Sequence, residues 1–316
     1  MLIVGHRINN RKIKSRLSRI VYTRDITMNN FNSNASKQYI VSRMSKDELN
    51  TMTDWARREG WNPGVHDADS FYQADPNGFF VGKLDGKIIA MGSAIVYDEQ
   101  YAFCGFYMVD PACRGMGYGL ALTNERLDYI GARNAGLDGV VNMLDKYARL
   151  GYKLAHYNVR YHGQNLYPLF PKSSAIIPLS QIDFKQLAAY DRKYFPAPRD
   201  AFLSFWINQA GAKSLGYLEH NKLQGYGVIR PCVQGFKIGP LFAENHLIAN
   251  QLFAQLVEHA SGASIYMDVP ESNPYAVKLI DNYHLEKVFK TGRMYLKEPP
   301  EINMTHVYGI TSLELG

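Results

Sequence analysis

Arg114-Gly-Met-Gly117-Tyr-Gly119 follows an apolar run from Tyr101 to Val109 and opens onto a helical pattern. Glycines at positions 115, 117 and 119 remove the Cβ atoms that would block an anion, so successive backbone N–H groups can converge on one phosphate. A helix starting there adds the amides of its own first turn. A structural tight turn uses the same residues, so the glycines alone leave both readings open. The spacing is neither a dinucleotide fingerprint, which needs G-x-G-x-x-G, nor a P-loop, which needs Gly-Lys-Ser/Thr. A second polar group lies upstream in Trp61-Asn62-Pro-Gly-Val-His-Asp67. An aromatic wall, an amide and a carboxylate in one loop could seat a cationic amine, with Asp67 taking its proton directly or through water. A turn carrying a packed indole explains these residues equally well. Tyr107 and Glu99 are lesser candidates beside the central strand.

With the strand ending Tyr107-Met108-Val109-Asp110, the run Arg114-x-x-Gly117-x-Gly119 resembles the acyl-CoA pyrophosphate loop of the GNAT superfamily of N-acetyltransferases. Tyr147-Ala-Arg-Leu-Gly151-Tyr152 is similar to that family's Tyr-x-x-Leu-Gly-Phe segment. Asn273-Pro-Tyr-Ala276-Val-Lys-Leu-Ile280 resembles its N-x-x-A-x-x-L-Y helix, with Ile280 in place of the Tyr. The resemblance implies acetyl-CoA as co-substrate, its pyrophosphate ringed by the amides of Arg114, Gly115, Met116, Gly117, Tyr118 and Gly119. It implies that the backbone of Met108 and Val109 pairs with the pantetheine arm and offers an N–H to the thioester oxygen. Tyr147 would be the general acid for the departing thiolate, since a phenol with an ordinary pKa near ~10 keeps its proton at neutral pH. Asp67 would act as base, and Trp61, Asn62 and Tyr107 would line the acceptor pocket. The implied activity is N-acetyl transfer to a primary amine by direct attack. A non-catalytic acyl-CoA-binding regulator is the alternative, because only Asn142 to Lys146 separate Tyr147 from the preceding strand and no base is obvious.

The elements around these residues repeat. Ser45-x-x-Glu48 is a capping box ahead of a helix with Leu49, Met52, Trp55 and Ala56 on one face. Asp85-Gly86 joins two strands as a hairpin, and His220-Asn221 joins two more. At an offset of 130, Phe106-Tyr-Met-Val meets Phe236-Lys-Ile-Gly, while Arg114, Gly117 and Gly119 become Glu244, Leu247 and Ala249. A carboxylate and a branched side chain oppose a pyrophosphate, so the first half should hold the cofactor and the second should wall the acceptor pocket. The expected fold is α+β with a mixed α/β sheet: two tandem GNAT-like domains, each a mixed, mostly antiparallel sheet flanked by helices. The expected divisions are a basic extension over 1–38, a catalytic domain over 39–161, a linker over 162–178, a degenerate domain over 179–297 and a tail over 298–316.

Composition narrows the classes. The net charge of +6 comes from the extension, where Arg7, Arg11, Lys12, Lys14, Arg16, Arg19, Arg24 and Lys37 face one acid, Asp25. The rest of the chain is nearly neutral, which argues against a nucleic-acid face. Ile13, Leu17, Ile20 and Val21 would share a helical face in that extension, as in an organellar presequence or a loose basic arm. No apolar run reaches the roughly 18 residues of a membrane span. Cys104, Cys113 and Cys232 lack C-x-x-C spacing, which favours free thiols and a cytoplasmic setting, and the histidines form no pattern for a metal site.

Overall fold

The computed structural model describes residues 20–23 and 38–316. The first half runs β1 (Ile20–Thr23), β2 (Gln38–Arg43), α1 (Lys46–Arg58), α2 (Asp67–Ala74), β3 (Phe79–Leu84), β4 (Lys87–Val96), β5 (Tyr101–Val109), α3 (Tyr118–Ile130), β6 (Asn134–Val140), α4 (Leu144–Arg149) and β7 (Lys153–Gly163). The second runs β8 (Ile176–Pro178), α5 (Phe184–Asp191), α6 (Asp200–Trp206), β9 (Lys213–Glu219), β10 (Lys222–Pro231), β11 (Phe236–Ala243), α7 (His246–His259), β12 (Ile265–Pro270), α8 (Pro274–Asn282), β13 (Glu286–Tyr295) and β14 (Val307–Gly309).

Local chemistry sets many of these boundaries. Ser45 Oγ accepts from the Glu48 amide and Glu48 returns a bond to the Ser45 amide, so two orphan donors of α1 are satisfied. Leu49, Met52 and Ala56 then bury one helical stripe. Asp85 and Gly86 both take positive φ, 48° and 82°, which fits a two-residue hairpin turn between β3 and β4.

The described strands form one sheet ordered β1-β2-β3-β4-β5-β6-β13-β7-β12-β11-β10-β9-β8, with β14 on β11. The expected division at residue 161 therefore does not divide the sheet. β13 enters between β6 and β7, pairing Thr291 with Val140 on one side and with Asn158 on the other. β7 in turn pairs with β12. The halves have exchanged their last strands, and separating them would break backbone ladders on both sides. They also share a core in which Met52, Phe71 and Phe106 pack with Trp206, Tyr226 and Phe242.

Two further expectations change. Ile20 and Val21 belong to a strand paired with β2 rather than to a helix, whereas Ile13, Leu17 and the basic cluster lie outside the described residues. Residues 298–316, expected as a tail, pack against both halves. β14 pairs with β11, Leu315 is buried, and Gly316 reaches the Phe103 ring. The small-residue backbone of Gly105 makes room for this segment, because a Cβ there would stand 2.0 Å from the Glu314 carbonyl oxygen.

Candidate active site

β5 and β6 run parallel only over Tyr101–Cys104 against Asn134–Leu137. Beyond that they separate. Phe106 takes φ 50° and the β4–β5 register shifts between Met91 and Ser93, a bulge that redirects the strand. A cavity of about 570 Å³ occupies the gap. Its walls include Gly105 to Val109 of β5, Arg114 and Gly117 of the glycine turn, Tyr147 of α4, and Phe289 and Thr291 of the exchanged strand β13.

The glycine turn opens one end. Gly115 and Gly117 adopt φ 78° and 85°, and Gly117 is the N-cap of α3 without a side chain to cap it. The first intrahelical bond is Ala121 N–H to the Gly117 carbonyl at 3.1 Å, so the preceding first-turn amides point out of the helix end. Gly119 is required for another reason: a Cβ there would meet the Tyr107 hydroxyl at 2.1 Å. Arg114, Gly115, Gly117, Gly119, Tyr107, Met108 and Val109 all line the cavity. Tyr118 instead packs its ring on Tyr39, and the Met116 side chain is exposed. The Arg114 guanidinium is committed elsewhere, donating to the Val109 carbonyl at 2.9 Å and pairing with Glu59 at 3.0 Å.

The second copy of this turn is closed. Asn245 caps α7, its Oδ1 accepting from the Leu247 and Ile248 amides at 3.0 Å each. Glu244 is paired with Lys193 and Tyr194. The Asn245 side chain holds amides at the start of α7, whereas α3 has no side-chain cap.

Tyr147 lines the cavity with its ring against Gly139, which brings the phenol to the site despite the short join before α4. Burial pushes its pKa up to about 12, partly opposed by the charge of Arg126. It holds a proton at neutral pH.

The acceptor loop divides. Trp61 lines the cavity, and its carbonyl accepts from Arg160 Nη1 at 2.5 Å. Asn62 and Asp67 do not reach the cavity. Asn62 donates to Cys232 Sγ and the Gln234 carbonyl and accepts from the Gln234 amide at 2.8 Å. Asp67 is 1% exposed and holds Arg230 through two bonds, with a third from the Gly64 amide. Burial works to raise its pKa, but the charge and bonds of Arg230, helped by Lys237, hold it below the ordinary carboxylate value. A carboxylate so engaged cannot collect a substrate proton. Glu99 is exposed in the turn between β4 and β5.

Two residues not singled out from sequence enter the site. Arg160 of β7 lines the cavity and is locked to Asp268 of β12 by bonds of 2.7 and 2.8 Å. Glu314 lines it from the C-terminal segment. The only sequence signal for that segment is Ile310, Leu313 and Leu315 among small polar residues. Among the described residues, no group of three or more His, Cys, Asp and Glu could hold a metal, and no helix is long and apolar enough to cross a membrane.

The acetyltransferase (GNAT) family matches residues 46–152 and an acetyltransferase (GNAT) domain matches residues 187–309. A holothin acyltransferase from Pseudoalteromonas sp. (strain SANK 73390) is 30% identical over 277 residues, covering 86% of this chain and 92% of that protein. Among solved structures, a candidate acetyltransferase from Pyrococcus horikoshii superposes with a TM-score of 0.75 at 20% identity, covering 93% of this chain and all of that one. A tandem GNAT protein from the clavulanic acid biosynthesis pathway, solved without AcCoA, gives a TM-score of 0.59 at 12% identity, over 84% of this chain and 98% of that one. These two structures establish likeness of fold.

Proposed function

Because the chain belongs to the GNAT acetyltransferase family, we propose that it transfers an acetyl group from acetyl-CoA to a primary amine by direct attack in the first-half cavity. One observation carries this reading: an uncapped glycine turn and the partly buried Tyr147 stand at one continuous cavity, which passes through the gap between β5 and β6. Residues 115 to 119 would hold the diphosphate with backbone N–H groups, and the β6-facing edge of β5 beyond Cys104 would receive the pantetheine arm. The amine nitrogen attacks the thioester carbon. As the C–S bond breaks, the sulfur takes the proton of Tyr147, and the proton lost by nitrogen restores the phenol.

Holothin, the acceptor named for the 30%-identical relative, is the first acceptor to try, followed by a panel of primary amines. The test is thiol release from acetyl-CoA with each acceptor. Release that depends on the amine, with the N-acetyl product seen by mass spectrometry, supports the reading. Saturable binding of acetyl-CoA without release across the panel would favour a regulator that binds acyl-CoA without turning it over.

A further inference from the structure

Three acidic residues line the cavity, Glu59, Asp138 and Glu314. Two are spoken for. Glu59 is paired with Arg114 at 3.0 Å. Asp138 takes both Nε and Nη2 of Arg293, at 3.0 and 2.6 Å, and a further bond from Asn158 at 2.8 Å. Among the described residues, no hydrogen bond or ion pair within 4 Å engages the carboxylate of Glu314, although the residue is only 6% exposed. Arg160 and Lys237 act on it through charge alone, so a ligand that supplies a donor would give this carboxylate its first hydrogen bond.

Its placement is specific. Residues 313 and 314 cross the face of β5 turned towards α1 and α2, with the Glu314 carbonyl pressed on Gly105. Tyr97 fixes the next residue by donating to the Leu315 carbonyl at 2.8 Å. Tyr107, Val109 and Tyr147 pack on the opposite face with α3, so Glu314 and the phenol approach the gap from different sides. The charged groups near Glu314 are Arg160 of β7 and Lys237 of β11, backed by Asp268 of β12 and Arg230 of β10. Cys104 of β5 also lines the cavity.

We infer that Glu314 is the acceptor-side base: its carboxylate receives the ammonium of the incoming substrate, takes one proton from it, and so delivers a neutral amine to the thioester. This rests on the acyl-transfer reading above and supplies the base that Asp67 cannot provide. In this transfer ammonium and carboxylate become amine and carboxylic acid. The amine attacks, Tyr147 protonates sulfur, and the second proton leaving nitrogen restores Tyr147. Glu314 returns its proton to water, so the balance is one amide, one CoA thiol and one released proton per ammonium consumed. The acceptor this selects is cationic at one end, with a body that fits a cavity lined by Trp61 and Phe289.

The experiment compares the wild type with Glu314→Gln and Glu314→Asp in thiol release from acetyl-CoA, using an alkyl primary amine, which is cationic at assay pH, and hydroxylamine, which is neutral there. Glu314→Gln should slow release with the alkylamine by about 100-fold or more while changing the hydroxylamine rate less than about threefold, the difference expected when a base is needed for one acceptor alone. Its kcat/KM profile should lose the acid limb, and Glu314→Asp should restore part of both the rate and the limb. Unchanged acetyl-CoA affinity by calorimetry separates this result from failure of the acyl-transfer reading itself. Equal losses with both acceptors, or a full rate with the alkylamine, would overturn the assignment. Should Glu314→Gln fail to fold, Glu314→Asp carries the test: an unaltered pH profile and unaltered acceptor ratio would overturn it.

Discussion

Asp67 at the start of α2 and Arg230 at the end of β10 meet at 2.7 Å across 163 residues of sequence, both fully buried, with the guanidinium 4.0 Å over the Trp206 ring. The pair locks the loop that carries Trp61 onto the second half. The same loop adds an Asn62 clamp on Gln234 and an isolated bridge between Gly64 and Cys232.

Asp67→Asn should therefore act on stability rather than chemistry. Leaving Arg230 buried without its counter-charge costs about 3–5 kcal/mol, measurable in denaturant unfolding. The pH sign follows from the depressed carboxyl: its contribution is present above the ordinary carboxylate pKa and is lost as pH falls through the lower folded value. The gap in stability between wild type and Asp67→Asn should thus be widest near neutrality and close on acidification.

Gly117→Val should remove acetyl-CoA binding while the protein stays folded. A branched residue at φ 85° strains the turn and puts carbon where the diphosphate would lie. Affinity by calorimetry should fall by at least about tenfold, or ~1.4 kcal/mol, whereas the far-UV CD spectrum should be unchanged.

Tyr147→Phe should lower kcat by about 10²–10⁴ with little change in KM for acetyl-CoA, the range for loss of a general acid. Since burial lifts the phenol to about 12, the wild-type rate should show no alkaline limb from this group below that pH. An alkaline limb near neutrality that Tyr147→Phe abolishes would contradict the assignment.

Gly105→Ala tests the course of the C-terminal segment. The new methyl would lie 2.0 Å from the Glu314 carbonyl, so the segment must move. Overpacking of this kind costs about 1–3 kcal/mol in stability, and turnover should fall further than acetyl-CoA affinity does.

Local signals carried much of this in the sequence. The Ser45–Glu48 box, the Asp85-Gly86 turn and the glycine run are decided by residues within a few positions of each other, and each stands where the pattern puts it. The strand exchange was not legible, because β13 reads the same whether it pairs with β7 alone or with both β6 and β7. Asp67 reads as a polar loop residue until Arg230 arrives from the other half. Glu314 was missed because its segment lacks a helical or strand period: the segment is seated by Glu314 against Gly105 and by Gly316 against Phe103. The glycine repeat marked the first half as the open one, yet the decisive contrast is a single cap, Asn245 on α7 against Gly117 on α3.

Backbone amides at the α3 end are expected to hold a diphosphate. Calorimetric titration of the protein with acetyl-CoA and, separately, with S-acetylpantetheine, which has the same thioester arm but no diphosphate, tests it directly. Acetyl-CoA should bind saturably at one per chain, and the truncated thioester at least about tenfold more weakly. Equal affinities, or no saturable binding of acetyl-CoA, would contradict it.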